Sequence, residues 1–141
     1  MRFSTRSEYG IRVMVRLGRD YGRGPTPLAE LAEQEGLPQA YLEQIAGQLR
    51  RAGLVTSRMG VKGGYTLARG PAAISMADIV RSLEGTLAPV SCLAEGGGPG
   101  ECTHAATPCS AHAFWEKLQG TITSTLQSVT VADLMHEAQP A

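Results

Sequence analysis

No run of apolar residues in this 141-residue chain approaches the ~20 needed to cross a bilayer. The opening Met1-Arg2-Phe3-Ser4 carries no apolar signal segment, so a cytoplasmic location without membrane contact is expected. Aromatic residues are scarce, at 5% of the chain, which leaves a core of Leu, Val, Ile and Ala. Common catalytic motifs are missing. There is no P-loop to cradle phosphate, no Gly-x-Ser-x-Gly and no His-Glu-x-x-His, so an enzyme is not expected. Cysteine numbers only three, too few and too odd a count for a disulfide framework. What is present is ordinary: 43% hydrophobic and 18% charged residues suit a packed globular core. The length fits one domain, or one domain with a dimerisation extension.

Net charge is also absent, but its distribution is uneven. Residues 1–69 hold 11 Lys+Arg and 6 Asp+Glu, whereas residues 70–141 hold 2 and 7. A basic half joined to an acidic half points to an anionic partner for the first part.

Periodicity predicts a helix over 5–22 with Tyr9, Val13, Leu17 and Tyr21 on one face. Arg12, Arg16, Arg19 and Arg23 make a basic stripe on another face, either solvated or facing phosphate. Gly22-Arg23-Gly24-Pro25 breaks that helix. Thr26 is the expected N-cap of the next, with Pro27 at its first position. Leu28, Leu31 and Ala32 carry this short helix to Gly36. Pro38 opens a third, whose Leu42, Ile45, Ala46 and Leu49 form a core face. Gln39, Glu43, Gln44, Gln48 and Arg51 remain outside, and Gly53 closes it. Two short helices joined by a Gly-containing turn are the helix-turn-helix pattern. The amide-rich outer face suits either plain solvation or pairing with adenine, as Arg suits guanine.

Strands are predicted at 54–58 and 65–68 around the turn Met59-Gly60-Val61-Lys62-Gly63-Gly64. The paired Gly63 and Gly64 are expected to supply positive φ at the tip. Arg58 and Lys62 make the hairpin a basic wing able to reach phosphate or the minor groove. Ser75 and Asp78 predict a capped helix to about Glu84, stapled by Ile74 and Ile79. Residues 85–108 are irregular, since Gly96-Gly97-Gly98-Pro99-Gly100 suits neither helix nor strand. So long a loop needs a ligand or partner to order it, or is disordered. A long helix from near Ser110 carries the stripe Phe114, Leu118, Ile122, Leu126 and Val129. Thr130 and Asp133 predict a last capped start, with Val129 and Leu134 as its staple. The long stripe is expected to bury itself against a second copy, and a homodimer suits palindromic double-stranded DNA.

Cys92, Cys102 and Cys109 fall in the Gly-rich stretch, with two residues between Cys109 and His112. Thiolates and imidazole suit zinc or an iron–sulfur cluster. Zinc usually shows a Cys-x-x-Cys knuckle, absent here, and loose spacing on a Gly-rich loop fits a cluster at least as well. Incidental reduced thiols would normally scatter through the core instead.

The segments Ser7-Glu8-Tyr9-Gly10, Tyr41-Leu42-Glu43-Gln44-Ile45, Leu49-Arg50-Arg51-Ala52-Gly53-Leu54-Val55, Gly63-Gly64-Tyr65-Thr66-Leu67 and Cys109-Ser110-Ala111-His112-Ala113-Phe114-Trp115 resemble the Rrf-type family of bacterial winged-helix transcription regulators. The resemblance covers nearly the whole chain and is IscR/NsrR-like, the last segment looking most like the IscR branch. It implies a mainly α fold with a small β-hairpin wing and a long dimerisation helix. The expected parts are a winged helix-turn-helix over 1–84, a Cys-rich loop over 85–109, and a dimerisation helix with a C-terminal helix over 110–141. The third helix and the wing would read DNA through Tyr41, Glu43, Gln44, Arg51, Arg58 and Lys62. Gln39, Gly63 and Gly64 complete the candidate set. Glu43 would accept from cytosine and veto wrong sequences, or else pair with a nearby Arg.

The resemblance also implies an iron–sulfur cluster, [2Fe-2S] in the IscR branch, on Cys92, Cys102, Cys109 and His112, with zinc as the other metal to consider. Both inter-cysteine gaps are longer than in that branch. Glu8 of the partner subunit, or His104, is the alternative fourth ligand; His136 lies too far along the chain. The function this implies is iron–sulfur or redox sensing. A nitric-oxide or oxidative-stress sensor with another cluster, a zinc-containing adaptor and a small electron carrier are the alternatives.

Overall fold

The computed structural model describes residues 2–93 and 110–136. Helix α1 (Thr5–Arg19) is the central element, burying Val13, Met14, Val15 and Leu17. Two of its glycines let neighbours come close. A side chain at Gly10 would overlap Leu83, and one at Gly18 would come within 2.7 Å of Val131. The helix expected to reach residue 22 stops earlier, with Asp20 as C-cap. Gly22 and Gly24 adopt φ of +88° and +97° and turn the chain. Tyr21 therefore leaves the apolar face and is 40% exposed.

Helices α2 (Leu28–Glu35) and α3 (Gln39–Arg51) follow. Gly36 ends α2 in the left-handed region, φ +66°, as its position predicts. The N-cap expected at Thr26 falls at Pro27 instead. Thr26 is taken up elsewhere: its hydroxyl donates to Asp20 Oδ2 at 2.9 Å, and its backbone exchanges two hydrogen bonds with Tyr65 at 2.8 and 2.9 Å. Leu42, Ile45, Ala46 and Leu49 of α3 are buried, as their spacing requires.

Strands β1 (Val55–Arg58) and β2 (Gly64–Leu67) form an antiparallel hairpin in register from Val55–Leu67 to Arg58–Gly64. After a 3-10 turn at Pro71–Ala73 comes α4 (Met76–Glu84), with the Ser75–Asp78 capping box fully formed. A second 3-10 turn, Ser91–Leu93, ends the first described stretch. Helix α5 (His112–Ser128) begins two residues after the expected Ser110. Helix α6 (Val131–Met135) has its own complete capping box on Thr130 and Asp133.

The two capping boxes meet. Ser75 and Thr130 form an antiparallel bridge, in which Met76 N–H donates to Val129 O at 2.8 Å and Val131 N–H to Ile74 O at 2.9 Å. This clip brings Ile74, Ile79 and Val131 into the main core with Leu42, Ile45 and Leu49 of α3. Helix α6, the last described element, thus packs on α1 near the start of the chain. The fold is mainly helical with a two-stranded wing, as expected.

Candidate nucleic-acid interface

A contiguous polar face begins on α3. Gln39, Glu43, Gln44 and Arg51 are exposed there, opposite its buried stripe. Tyr41 is turned inward by comparison. Its ring meets Tyr9 edge-on at 6.3 Å, and its hydroxyl lies 2.9 Å from Thr5 Oγ1. Arg6, which sequence reasoning missed, joins this face: its Nη1 donates to Gln48 Oε1 at 3.4 Å. It borders one shallow groove with Glu43, Gln44, Gly47, Gln48 and Arg51. Nothing in the periodicity of α1 links Arg6 to α3; only packing does. Glu43 makes no ion pair among the described residues.

The wing continues from α3. Arg50 Nη1 donates to Ser57 Oγ at 3.3 Å, tying the end of α3 to β1. Arg58, Met59, Gly60, Val61 and Lys62 are all exposed. The glycines act differently from expectation. Positive φ falls at Gly60, +107°, and Gly64, +149°, not at Gly63. Gly63 is buried, and a side chain there would overlap the Arg58 carbonyl. A side chain on Gly64 would overlap the Thr26 carbonyl. Both glycines allow close backbone approach, which shapes the wing.

The arginine stripe of α1 is not a free phosphate face. Arg12 Nε and Arg16 Nε each donate to a different oxygen of Glu35 at 2.8 Å, and the Glu35 side chain is only 1% exposed. These bonds lock the end of α2 to α1. Arg19 Nε reaches Met135 O at 3.4 Å, and Arg23 lies beyond the helix. A stripe read from one helix cannot reveal a carboxylate arriving from the next.

A second polar anchor sits where α4 hands over to the cysteine-bearing segment. Glu84 Oε1 accepts from Ser4 N–H at 2.8 Å, Ser4 Oγ at 2.6 Å and Ser7 Oγ at 2.7 Å. Burial pushes this carboxyl up. The hydrogen bonds from Ser4 and Ser7, with the charge of Arg6, outweigh burial and hold it below the usual carboxylate range. The same first turn of α1 carries Thr5 and Arg6 to α3. One continuous set of contacts therefore runs from the end of α4 to the polar face of α3.

Of the proposed metal ligands, Cys92 and His112 are described. Cys92 is half-buried in the Ser91–Leu93 turn with a free thiol. His112 is the first residue of α5, and its Nε2 lies 2.9 Å from Glu116 Oε1. That contact leaves Nδ1 for a ligand, the arrangement in which a carboxylate orients a metal-binding imidazole. A thiolate and an imidazole fit a metal or cluster in their chemistry. Cys102, Cys109 and His104 lie outside the described residues. Among the described residues no three His, Cys, Asp or Glu side chains gather as a metal site. Glu8 is exposed in the first turn of α1, and His136 is exposed beyond α6.

Helix α5 buries none of its residues fully. Its stripe divides in two. Leu126 and Val129 pack on the core of their own chain, whereas Phe114, Leu118 and Ile122 join no core cluster among the described residues. Phe114 is 58% exposed. No helix among the described residues is long and apolar enough to cross a membrane.

Residues 3–137 match the family described as "Rrf2: Iron-dependent Transcriptional regulator". The chain is 37% identical over 134 residues to the transcriptional regulator CymR of Bacillus subtilis, covering 95% of this chain and 89% of that one. It is 33% identical to the transcriptional regulator IscR of Vibrio cholerae, covering 96% and 75%. Among solved structures, CymR of B. subtilis, described as the global cysteine regulator, superposes with a TM-score of 0.80 at 34% identity over 99% of each chain. T. potens IscR superposes with a TM-score of 0.75 at 35% identity, over 99% of this chain and 94% of that one.

Proposed function

The chain belongs to the Rrf2 family of transcriptional regulators, and on that premise we propose that it acts as a homodimer on a palindromic operator, with its grip on DNA set by an iron–sulfur cluster of [2Fe-2S] type. One observation carries the DNA-reading part. The exposed face of α3 and the wing tip follow each other in the chain, and Arg51, Arg58 and Lys62 pair with no carboxylate among the described residues. Unpaired cations beside amide side chains suit phosphate and base edges. The end of the α5 stripe that joins no core cluster among the described residues supports the dimer, which would set two α3 helices about 34–36 Å apart, one per half-site.

Cys92, Cys102, Cys109 and His112 would hold the cluster, Glu8 of the partner subunit or His104 being the other candidates for the fourth place. When bound, such a centre supplies one-electron redox chemistry and a target for small oxidants. The chain's own residues supply the coupling. Glu84 fastens the end of α4 to Ser4 and Ser7. Thr5 and Arg6, between those serines, touch Tyr41 and Gln48 of α3. A shift of the segment after Glu84 thereby moves the first turn of α1 and the reading helix together. Small shifts matter because two helices must match two half-sites at once.

Similarity to CymR favours a second reading, in which the signal is cysteine supply and no cluster is held. The experiment is anaerobic binding to a duplex from the protein's own promoter, before and after iron chelation. A change in affinity on chelation supports the cluster reading. Affinity indifferent to iron but responsive to cysteine supports the second. In the same assay Lys62→Ala lowers the salt slope by about 1; an unchanged slope refutes the wing contact.

A further inference from the structure

Among the described residues, the two most exposed large apolar side chains lie together at the wing tip: Met59 is 94% exposed and Val61 is 103%. Arg58 and Lys62 flank them, both exposed and without a carboxylate partner among the described residues. The stem beneath is fixed. Gly63 N–H donates to Gly60 O at 3.0 Å, and Tyr65 exchanges backbone bonds with Thr26. A solvated turn ordinarily carries polar residues, which satisfy their own backbone and water. Here two apolar groups stand between two cations on the element that follows the DNA-facing helix.

Resting on the DNA-binding reading above, we propose that Met59 and Val61 form an apolar tip that seats on the floor of the minor groove and selects A·T pairs over G·C pairs there. The A·T floor shows only the acceptors A N3 and T O2, whereas G·C adds the guanine N2 amino donor. An apolar tip accepts nothing. Pressed against guanine N2 it strips water from a donor and offers no replacement. Against A·T it covers only acceptors of the kind both pairs present, leaves no added donor unmet and gains apolar contact. Arg58 and Lys62 then lie near the phosphates that line the groove, which is about 6 Å wide. Their contribution falls with salt, and that of Met59 and Val61 does not. The wing would thus add base preference to backbone attraction.

The test uses a 30-base-pair duplex selected from a random library by the wild-type protein. The variant carries both Met59→Ser and Val61→Ser. Its thermal unfolding midpoint is expected to match wild type, since both side chains are almost fully exposed. Its affinity for the selected duplex is expected to fall about tenfold, the effect of losing a modest apolar contact, with the salt slope unchanged. For wild type, replacing A·T pairs under the wing by G·C weakens binding, and replacing them by inosine·cytosine, which lacks the minor-groove amino group, does not. The double variant loses this distinction. Equal affinity of variant and wild type overturns the proposal. So does equal damage from inosine and guanine, which would assign the reading to the major groove. So does a change in oligomeric state in the variant, which would place the tip against a second copy. If wild type selects no duplex at all, the DNA-binding reading fails first, and the two failures are distinguishable.

Discussion

Gly64→Ala separates a glycine that shapes the wing from one that touches DNA. Gly64 has φ +149°, and a methyl there would overlap the Thr26 carbonyl and approach Pro27 N to 2.7 Å. These are backbone atoms and cannot rotate aside. Relief requires β2 to leave Thr26, breaking the bonds of 2.8 and 2.9 Å between Tyr65 and Thr26. Positive φ costs a non-Gly residue about 1–2 kcal/mol. Two lost backbone bonds add about 1 kcal/mol each, for a total of about 3–4 kcal/mol. Gly60→Ala is the internal control: its φ is +107°, but a methyl there meets nothing within 4 Å. It is expected to lose only the conformational part, about 1–2 kcal/mol. Thermal melts followed by circular dichroism should place Gly64→Ala about 10 °C below wild type, and Gly60→Ala about half as far. If Gly64→Ala melts no lower than Gly60→Ala, the argument from close packing on Thr26 is wrong.

Three further outcomes follow from named contacts. Glu35→Gln removes the charge that holds Arg12 and Arg16, and urea unfolding should show a loss of about 1–3 kcal/mol, limited because Arg12 is 58% exposed and returns to water; a loss below a few tenths would contradict the locking role. Glu84 has a depressed folded pKa, so the stability it adds is complete above the unfolded value of about 4.3 and lost as pH falls through the lower folded value. Urea midpoints of wild type and Glu84→Gln should therefore differ by a constant amount from pH 7 to 5 and converge toward pH 3; a gap that widens on acidification would reverse the sign. Phe114→Glu, on the exposed end of the α5 stripe, should leave the melting of the isolated chain nearly unchanged but raise the dimer dissociation constant at least tenfold by sedimentation; an unaltered dimer would place the interface elsewhere.

Much of the fold was legible because it rests on local rules. Both capping boxes, at Ser75–Asp78 and Thr130–Asp133, follow from side chains three residues apart. The buried stripe of α3 follows from helical spacing, and the end of α2 at Gly36 from a left-handed glycine. What was not legible depends on partners distant in sequence. Arg12 and Arg16 suit a solvated or a phosphate-facing stripe by spacing, and only packing brings Glu35 to them from another helix. Thr26 has the chemistry of an N-cap, yet Tyr65 and Asp20 claim it. The clip between the two capping boxes joins residues 75 and 130, and no local pattern announces it. In the candidate interface, Gln39, Glu43, Gln44, Arg51, Arg58 and Lys62 are each exposed, Tyr41 is partly withdrawn, and Arg6 joins only through packing.

The central claim, that DNA binding here answers to a bound iron–sulfur centre, is tested most directly by assaying iron and acid-labile sulfide in protein purified without oxygen. The account predicts a coloured protein with about two iron and two sulfide per chain, lost in a Cys92→Ala variant. A colourless protein holding one zinc per chain, or no metal, would contradict it.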